Sequence, residues 1–348
     1  MLNRFFIANN MFYLVTLHMK EFFKSNCVVS FFYRVLSFNK RKKKRIVEEC
    51  QQLFQDRRDA ERDRIAKDMM YWYLRRGISP RQYWEQRFDC LSKDAKLSML
   101  PQRELALFDK QYNPKKDIHI IGNKYECYER LKEYYGRECI LVNNKSPREE
   151  FESFAKKHGR IIIKPLYNDS GKGVRLYNYG DELPNHAFIA EELIQQSEEL
   201  ARFHPQSVNT LRLNTIRCKD SIEVVWAILR YGRNNNIVDN AHFGGLFSVI
   251  DDNGVAIAAG DVHRHTYVTH PDTGVAITGF KVPDWEKACE MVRSLATKVG
   301  DLRFVGWDLA FTDKGWILVE ANTSPGILSP MVTGQGVREE FRRLKRRM

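Results

Sequence analysis

Two carboxylates and an amide near the end of the chain, Asp308, Glu320 and Asn322, lie on two apolar runs separated by Asp313-Lys314-Gly315. Trp316-Ile317-Leu318-Val319 reads as a buried strand, with the Asp-Lys-Gly tripeptide as the hairpin before it. Glu320 and Asn322, two apart in a strand, point to the same side. Pro325-Gly326 then turns the backbone, which leaves amide N–H groups at the mouth of such a site. Hard oxygen donors on neighbouring strand ends are what Mg²⁺ needs when nucleotide phosphates complete its shell. The pattern points to nucleotide chemistry. Asp308 alone reads equally well as the polar end of an ordinary hairpin.

A second group lies upstream. Lys164 ends the apolar run 160–164, and Asn168-Asp169-Ser170-Gly171-Lys172-Gly173 follows as a polar, glycine-bearing loop. Backbone N–H groups in such a loop approach phosphate closely, and a lysine at the strand end adds a point charge. By itself Gly171-Lys172-Gly173 reads more readily as a hairpin.

The elements that would hold these residues follow from periodicity and caps. Residues 46–112 read as helical: Ile65, Met69, Trp72 and Tyr73 repeat at helical spacing. Ser79-Pro80 with Gln82 supplies a cap, a first-turn proline and a capping-box partner for a helix to about residue 90. From 117 to 164 elements alternate: a strand at 117–121, a helix at 125–135 stopped by Gly136, a strand at 139–142, a helix opened by Ser146-Pro147 and stopped by Gly159, and a strand at 160–164. Beyond them strands dominate, at 174–177, 188–194, 211–218, 223–231, 246–250, 255–259, 304–311 and 316–321, with one helix at 283–299. The fold class predicted is α+β.

The chain has 348 residues, 43% hydrophobic, enough for a sizeable core and two or three subdomains. Seven scattered cysteines without a Cys-x-x-Cys pair argue against a zinc site or disulfide framework and for a reducing cytosol. The net charge of +12 sits at the ends: ten Lys/Arg against one Glu in residues 1–45, and six against two in 337–348. The remainder is close to neutral, so nucleic acid is not an expected partner. The apolar and aromatic residues of 1–45 form no window of about 18 clean apolar residues, so no membrane span is expected. Nor is a signal peptide, for want of a small-residue cleavage site. An apolar segment followed by Lys40-Arg41-Lys42-Lys43-Lys44-Arg45 suits reversible contact with an anionic membrane face. A first helix packed on the body, followed by a solvated basic loop, is the competing expectation.

The order of Asn123-Lys124, Ile163-Lys164-Pro165, Gly171-Lys172-Gly173, Glu191-Glu192-Leu193-Ile194, Asp308 and Glu320-x-Asn322 resembles the ATP-grasp fold. Its metal-binding end is similar to that of D-alanine–D-alanine ligases. The resemblance implies that Lys124 and Lys164 bind the α- and β-phosphates, and that Ser170, Gly171, Lys172 and Gly173 belong to a loop over the phosphates. Glu191 would accept the adenine amino group, the backbone of Glu192, Leu193 and Ile194 would complete the adenine edge, and Glu198 (or Glu199) would hold the ribose. Asp308, Glu320 and Asn322 would hold one or two Mg²⁺ ions. The pattern departs twice: Asn123 stands where Asp is usual, and Gly306 stands where the ligases place an arginine two residues before the metal-binding Asp. Arg212 is therefore the expected phosphoryl-binding arginine, with Arg230 and Arg233 next.

Tyr73–Trp84 motif residues Gly77-Ile78-Ser79-Pro80, the segment Ser207-Val208-Asn209-Thr210-Leu211-Arg212, and Val238-Asp239-Asn240 with Gly244-Gly245 are similar to the sugar-transfer-associated ATP-grasp family over about residues 65–332. The domains expected are a basic, apolar segment (1–45), a helical region (46–112), an ATP-grasp domain (113–332) and a basic helix (333–348). The likeness implies an ATP- and Mg²⁺-dependent ligase joining a small-molecule or glycan carboxylate to an amine, in the cytoplasm or at the inner membrane face. A kinase of a hydroxyl substrate and a nucleotide-binding scaffold are the rival functions. Asn240 and Gly244-Gly245 would form part of an acceptor wall, and His242, His263 and His265 could orient substrate.

Overall fold

A computed structural model describes residues 27–348 except 144, 147, 168–172, 235, 238 and 240–243. The chain divides into two compact units between Phe108 and Asp109.

The first unit is helical: α1 (Cys27–Leu36), α2 (Lys40–Leu53), α3 (Asp59–Arg76), α4 (Pro80–Glu85), α5 (Lys93–Ser98) and the start of α6 (Gln102–Tyr112). Caps fix their ends. Asn39, Ser79 and Ser92 accept backbone N–H bonds from Lys42, Gln82 and Ala95, and Gly77 closes α3 at φ +75°, a left-handed value that favours glycine. Ile65, Met69 and Trp72 form the inward stripe of α3 and pack with Ile46, Cys50, Phe54, Tyr83 and Phe88. Gln82 does not close a capping box. It is buried, donating to Gln86 Oε1 and the Leu100 carbonyl and accepting from Gln102 N.

The second unit is α+β, as expected. Its helices are α7 (Lys115–Gly122), α8 (Lys124–Leu131), α9 (Arg148–His158), α10 (Glu198–Ala201), α11 (Trp285–Thr297), α12 (Ser329–Thr333) and α13 (Arg338–Arg346). A four-stranded sheet has the order β1 (Cys139–Val142), β4 (Phe188–Glu192), β2 (Arg160–Pro165), β3 (Arg175–Asn178). A seven-stranded sheet has the order β11 (Gly315–Thr323), β10 (Phe304–Thr312), β5 (Leu211–Arg217), β6 (Ile222–Tyr231), β7 (Leu246–Ile250), β8 (Ala256–Gly260), β9 (Thr266–Tyr267). All pairings are antiparallel. Helix α11 buries Ala288, Val292, Leu295 and Ala296 in the core that also holds Leu211, Leu213, Leu229 and Leu309. Residues 117–121 are not a strand. They lie in α7, whose Ile120 and Ile121 are buried with Ile118 partly covered; a short apolar run has no periodicity of its own to choose between the two forms.

Candidate active site

The site is built on one face of the larger sheet. Strand β10 pairs Asp308 with Glu320 on one side and with Arg212 on the other, and Gly306 with Asn322 and Asn214. The two-residue period of strands puts Arg212 and Asn214, Gly306 and Asp308, and Glu320 and Asn322 on that face together. A bulge after Asp308 leaves Val319 as the extra residue, since Leu309 already pairs with Leu318. Arg212 grips the Asp308 carboxylate with two donors, Nε on Oδ1 and Nη2 on Oδ2 at 2.7 Å. Arg230 Nη2 lies 2.7 Å from Asp308 Oδ1, and Asn322 Nδ2 donates to Oδ2 at 3.2 Å. Arg230 reaches on, to Thr210 Oγ1 at 3.0 Å and to within 3.7 Å of Asp239 Oδ2. Burial pushes the Asp308 carboxyl up, but the Arg212 and Arg230 guanidiniums outweigh it and hold the group down at about 2. Asp239 goes the other way: burial wins over Arg230 and raises it.

A second knot closes the other side. Lys164, at the end of β2, lies 2.7 Å from Glu191 Oε2, and Arg137 Nη2 lies 2.8 Å from the same oxygen. Glu191 is buried, yet Arg137 and Lys164 overcome that burial and hold it at about 2. Arg137 also donates to the carbonyls of Leu318 at 2.6 Å and Val319 at 3.2 Å, beside the bulge. Lys124 completes the circuit: its Nζ is 3.3 Å from Glu320 Oε1, and its backbone N–H donates to Leu166 just beyond β2. Asn123 caps α8 by accepting from the Tyr125 and Glu126 amides, so this position serves the helix that aims Lys124. Ion pairs thus join Asp239, Arg230, Asp308 and Arg212 in one group, Lys124 and Glu320 in a second, and Lys164, Glu191 and Arg137 in a third. Strand pairing sets Asp308 beside Glu320, and Arg137 bonds the carbonyls just before Glu320.

Residues 174–346 match the family model described as sugar-transfer associated ATP-grasp. Over those residues the chain belongs to the ATP-grasp superfamily. Among solved structures it is similar to N5-carboxyaminoimidazole synthase from Aspergillus clavatus in complex with ADP and an aminoimidazole ribonucleotide, at 14% identity and TM-score 0.40, covering 65% of this chain and 51% of that one. It is also similar to D-alanine–D-alanine ligase from Bacillus anthracis, at 15% identity and TM-score 0.36, covering 60% and 58%. The chain spans just over half the length of these structures. No protein of curated function matches it.

In this ATP-grasp protein Lys124, Lys164, Glu191, Arg212, Arg230, Asp308, Glu320 and Asn322 all enter the contact network. Other expected residues do not. The backbone N–H of Glu192, expected at the adenine edge, donates to the Glu138 carbonyl at 3.0 Å, because β4 is an inner strand with β1 beside it. Its side chain accepts from the Glu138 N–H and faces His158. Leu193 and Ile194 follow the strand end, half-buried. Glu198 and Glu199 are exposed in the first turn of α10, and no hydrogen bond or ion pair among the described residues joins either to the network. Ser170, Gly171, Lys172, Asn240 and His242 lie outside the described residues. Gly173 is described: at φ +77° a Cβ there would stand 2.7 Å from Pro165. Arg233 pairs with Asp272 at 3.6 Å. His265 Nδ1 bonds Asp261 at 2.8 Å, and the His263 amide donates to the same carboxylate.

Arg137 and Asp239 were not among the residues singled out for chemistry, although Asp239 lies in a quoted family motif. Arg137 follows a helix-stopping glycine and precedes a strand, which marks it only as a linker residue. Its role depends on Cys139 pairing with Glu191 across β1 and β4, and that register is not readable in the sequence.

The donor types around Asp308 suit a hard cation: Asn322 touches it, Glu320 is its partner on the neighbouring strand, and on the same face the buried Asn214 Oδ1 has no partner among the described residues. The charges set a condition. Arg212 and Arg230 occupy Asp308, and Lys124 stands against Glu320, so the carboxylates become available to a cation only when another anion draws those basic groups away. A polyphosphate is such an anion.

Proposed function

We propose that this chain is an ATP-dependent carboxylate–amine ligase acting in the cytoplasm, with a glycan or small-molecule carboxylate as one substrate. The observation that carries the reading is the set of ion pairs lining the site: Arg230 between Asp239 and Asp308, Arg212 on Asp308, Lys124 on Glu320, and Lys164 with Arg137 on Glu191. Such a network holds its cations in place and offers them to incoming phosphate, so little reorganisation remains when charge develops. A substrate carboxylate oxygen attacks the γ-phosphorus, the bond to the β-phosphate oxygen breaks, and ADP departs. Arg212 and Arg230 exchange the Asp308 carboxylate for the transferred phosphoryl oxygens, while Lys124 and Lys164 hold the remaining phosphates. An amine then adds to the acyl phosphate and inorganic phosphate leaves, giving an amide. Mg²⁺, held by Asp308, Glu320 and Asn322, would supply further positive charge to the phosphate oxygens.

This chemistry needs no side-chain nucleophile. The thiols of Cys127 and Cys139 near the network are buried, and burial pushes both up, Cys127 to about 11, which keeps them protonated and unreactive.

Purified protein with ATP and Mg²⁺, assayed against panels of amino acids and uronic acids, tests the reading. ADP and phosphate should form only when a carboxylate and an amine are both present. A phosphorylated product without amide would make the enzyme a kinase. No turnover with any pair, together with a cellular function unaffected by Glu320→Ala, would leave a nucleotide-binding scaffold.

A further inference from the structure

The nucleotide site makes no use of α1, whose polarity is inside out. Among its described side chains, residues 30–36, the buried ones are Ser30 and Arg34, one helical turn apart. Arg34 donates to Ser30 Oγ at 2.6 Å, to the Leu74 carbonyl at 2.9 Å and to the Arg75 carbonyl at 3.2 Å. Those carbonyls end α3, where a helix leaves acceptors without partners and carries partial negative charge. The helix is therefore fastened through its polar side. Away from that seam Phe31, Phe32, Tyr33, Val35 and Leu36 are exposed, Phe32 at 57% and Leu36 at 86%. A surface helix ordinarily turns its apolar stripe inward, and a contiguous exposed apolar patch marks a place where something else binds.

Charge indicates what binds. Four residues after Leu36 the chain enters α2 with Lys40-Arg41-Lys42-Lys43-Lys44-Arg45, and all of these but the half-buried Lys42 are exposed. Lys42 Nζ bonds Ser37 Oγ at 2.9 Å, which ties the basic turn to the end of α1. Lys44 and Arg45 pair along the helix with Glu48 and Glu49, leaving Lys40, Arg41 and Lys43 toward its N-terminal end. Among the described residues no helix is long and apolar enough to cross a membrane. We propose that α1 and the first turns of α2 form a docking surface for an anionic lipid bilayer. Phe31, Phe32, Tyr33 and Leu36 enter the boundary between headgroups and acyl chains, and residues 40–45 meet the lipid phosphates. An apolar groove on a protein would match α1 and leave the basic run unmatched; a bilayer matches both.

Co-sedimentation of the full-length protein with phosphatidylcholine vesicles, with and without phosphatidylglycerol, tests the proposal. Binding should require the anionic lipid and fall with added salt. At about 1 kcal/mol for each basic residue near the surface, replacing Lys40, Arg41 and Lys43 together by Gln should weaken binding on the order of a hundredfold. Phe32→Ser with Leu36→Ser should abolish sedimentation while leaving the melting temperature unchanged, since both side chains are exposed. The proposal is overturned if the unaltered protein stays in the supernatant with anionic vesicles, or if neither variant binds less. It is also overturned if light scattering finds a dimer that the Phe32/Leu36 variant disperses, which would make the face a contact between copies.

Discussion

Asp308 holds opposed charges in balance. Its carboxylate is buried and accepts from Arg212, Arg230 and Asn322. Replacing it by Asn keeps the shape and leaves two half-buried guanidiniums without their shared counter-ion. Removing one partner of a buried pair typically costs about 3–5 kcal/mol, so Asp308→Asn should lower the urea unfolding midpoint by a corresponding amount. A change under about 1 kcal/mol would mean water screens the pair as it screens exposed ones. Arg137 makes a sharper case, because it bonds Glu191 and two β11 carbonyls with one planar group. Arg137→Lys keeps the charge and cannot reproduce that fork. It should raise the KM for ATP well above the unaltered value while changing kcat little, whereas a purely structural role would lower the amount of folded enzyme and leave KM alone. The contrast shows what was legible. Asp308, Glu320 and Asn322 were read from spacing within one hairpin, where the strand period settles which side chains share a face. The arginines that occupy Asp308 come from 96 and 78 residues away, and pairing over such distances is set by sheet order.

At the scale of elements, β10 and β11 carry the site, and Gly306 is the point where they crowd. A Cβ built there would stand 2.6 Å from Pro325 Cβ, 3.0 Å from Asn214 Oδ1 and 3.3 Å from Arg212 Cδ. The ligase-like pattern has an arginine at this position; here the turn at Pro325 fills the space, and the arginines come from β5 and β6 instead. Gly306→Ala should therefore cost about 1–3 kcal/mol, the usual range for overpacking, and weaken ATP binding by shifting Pro325 or Arg212. Calorimetry and nucleotide titration of that variant check both effects; wild-type values in both would show that the turn yields freely. Most strands fall within a few residues of the runs read from the sequence, because β-branched and aromatic stretches between turn residues decide them locally. Two elements did not. Residues 117–121 are helical, and the two-residue β9 is too short to carry a period, existing only because β8 supplies its partner.

For the second unit as a whole, the two buried carboxylates give an acid dependence whose sign can be worked out. Glu191 has an ordinary value of 4.5 and Asp308 one of 3.8, and both are held at about 2 in the folded chain. A depressed carboxylate stabilises the fold above its unfolded value, and that stabilisation is lost as pH falls toward the folded one. Stability from these groups should be level from neutral pH to about 5. Below that it falls, with a slope approaching roughly 1.4 kcal/mol per pH unit for each group. Asp239 is raised, so its protonation runs opposite and blunts the fall. Salt should not mimic acid, because pairs this buried are screened far less than surface ones. Urea unfolding followed by tryptophan fluorescence checks this, since Trp307 is buried on the same strand as Asp308. The midpoint should drop between pH 5 and 3, and in Glu191→Gln the slope should shrink by about one proton's worth. A midpoint that holds steady to pH 3 would mean that the basic groups do not hold either carboxylate below its ordinary value. The tight ion pairs that the site would exchange for a triphosphate would then be absent.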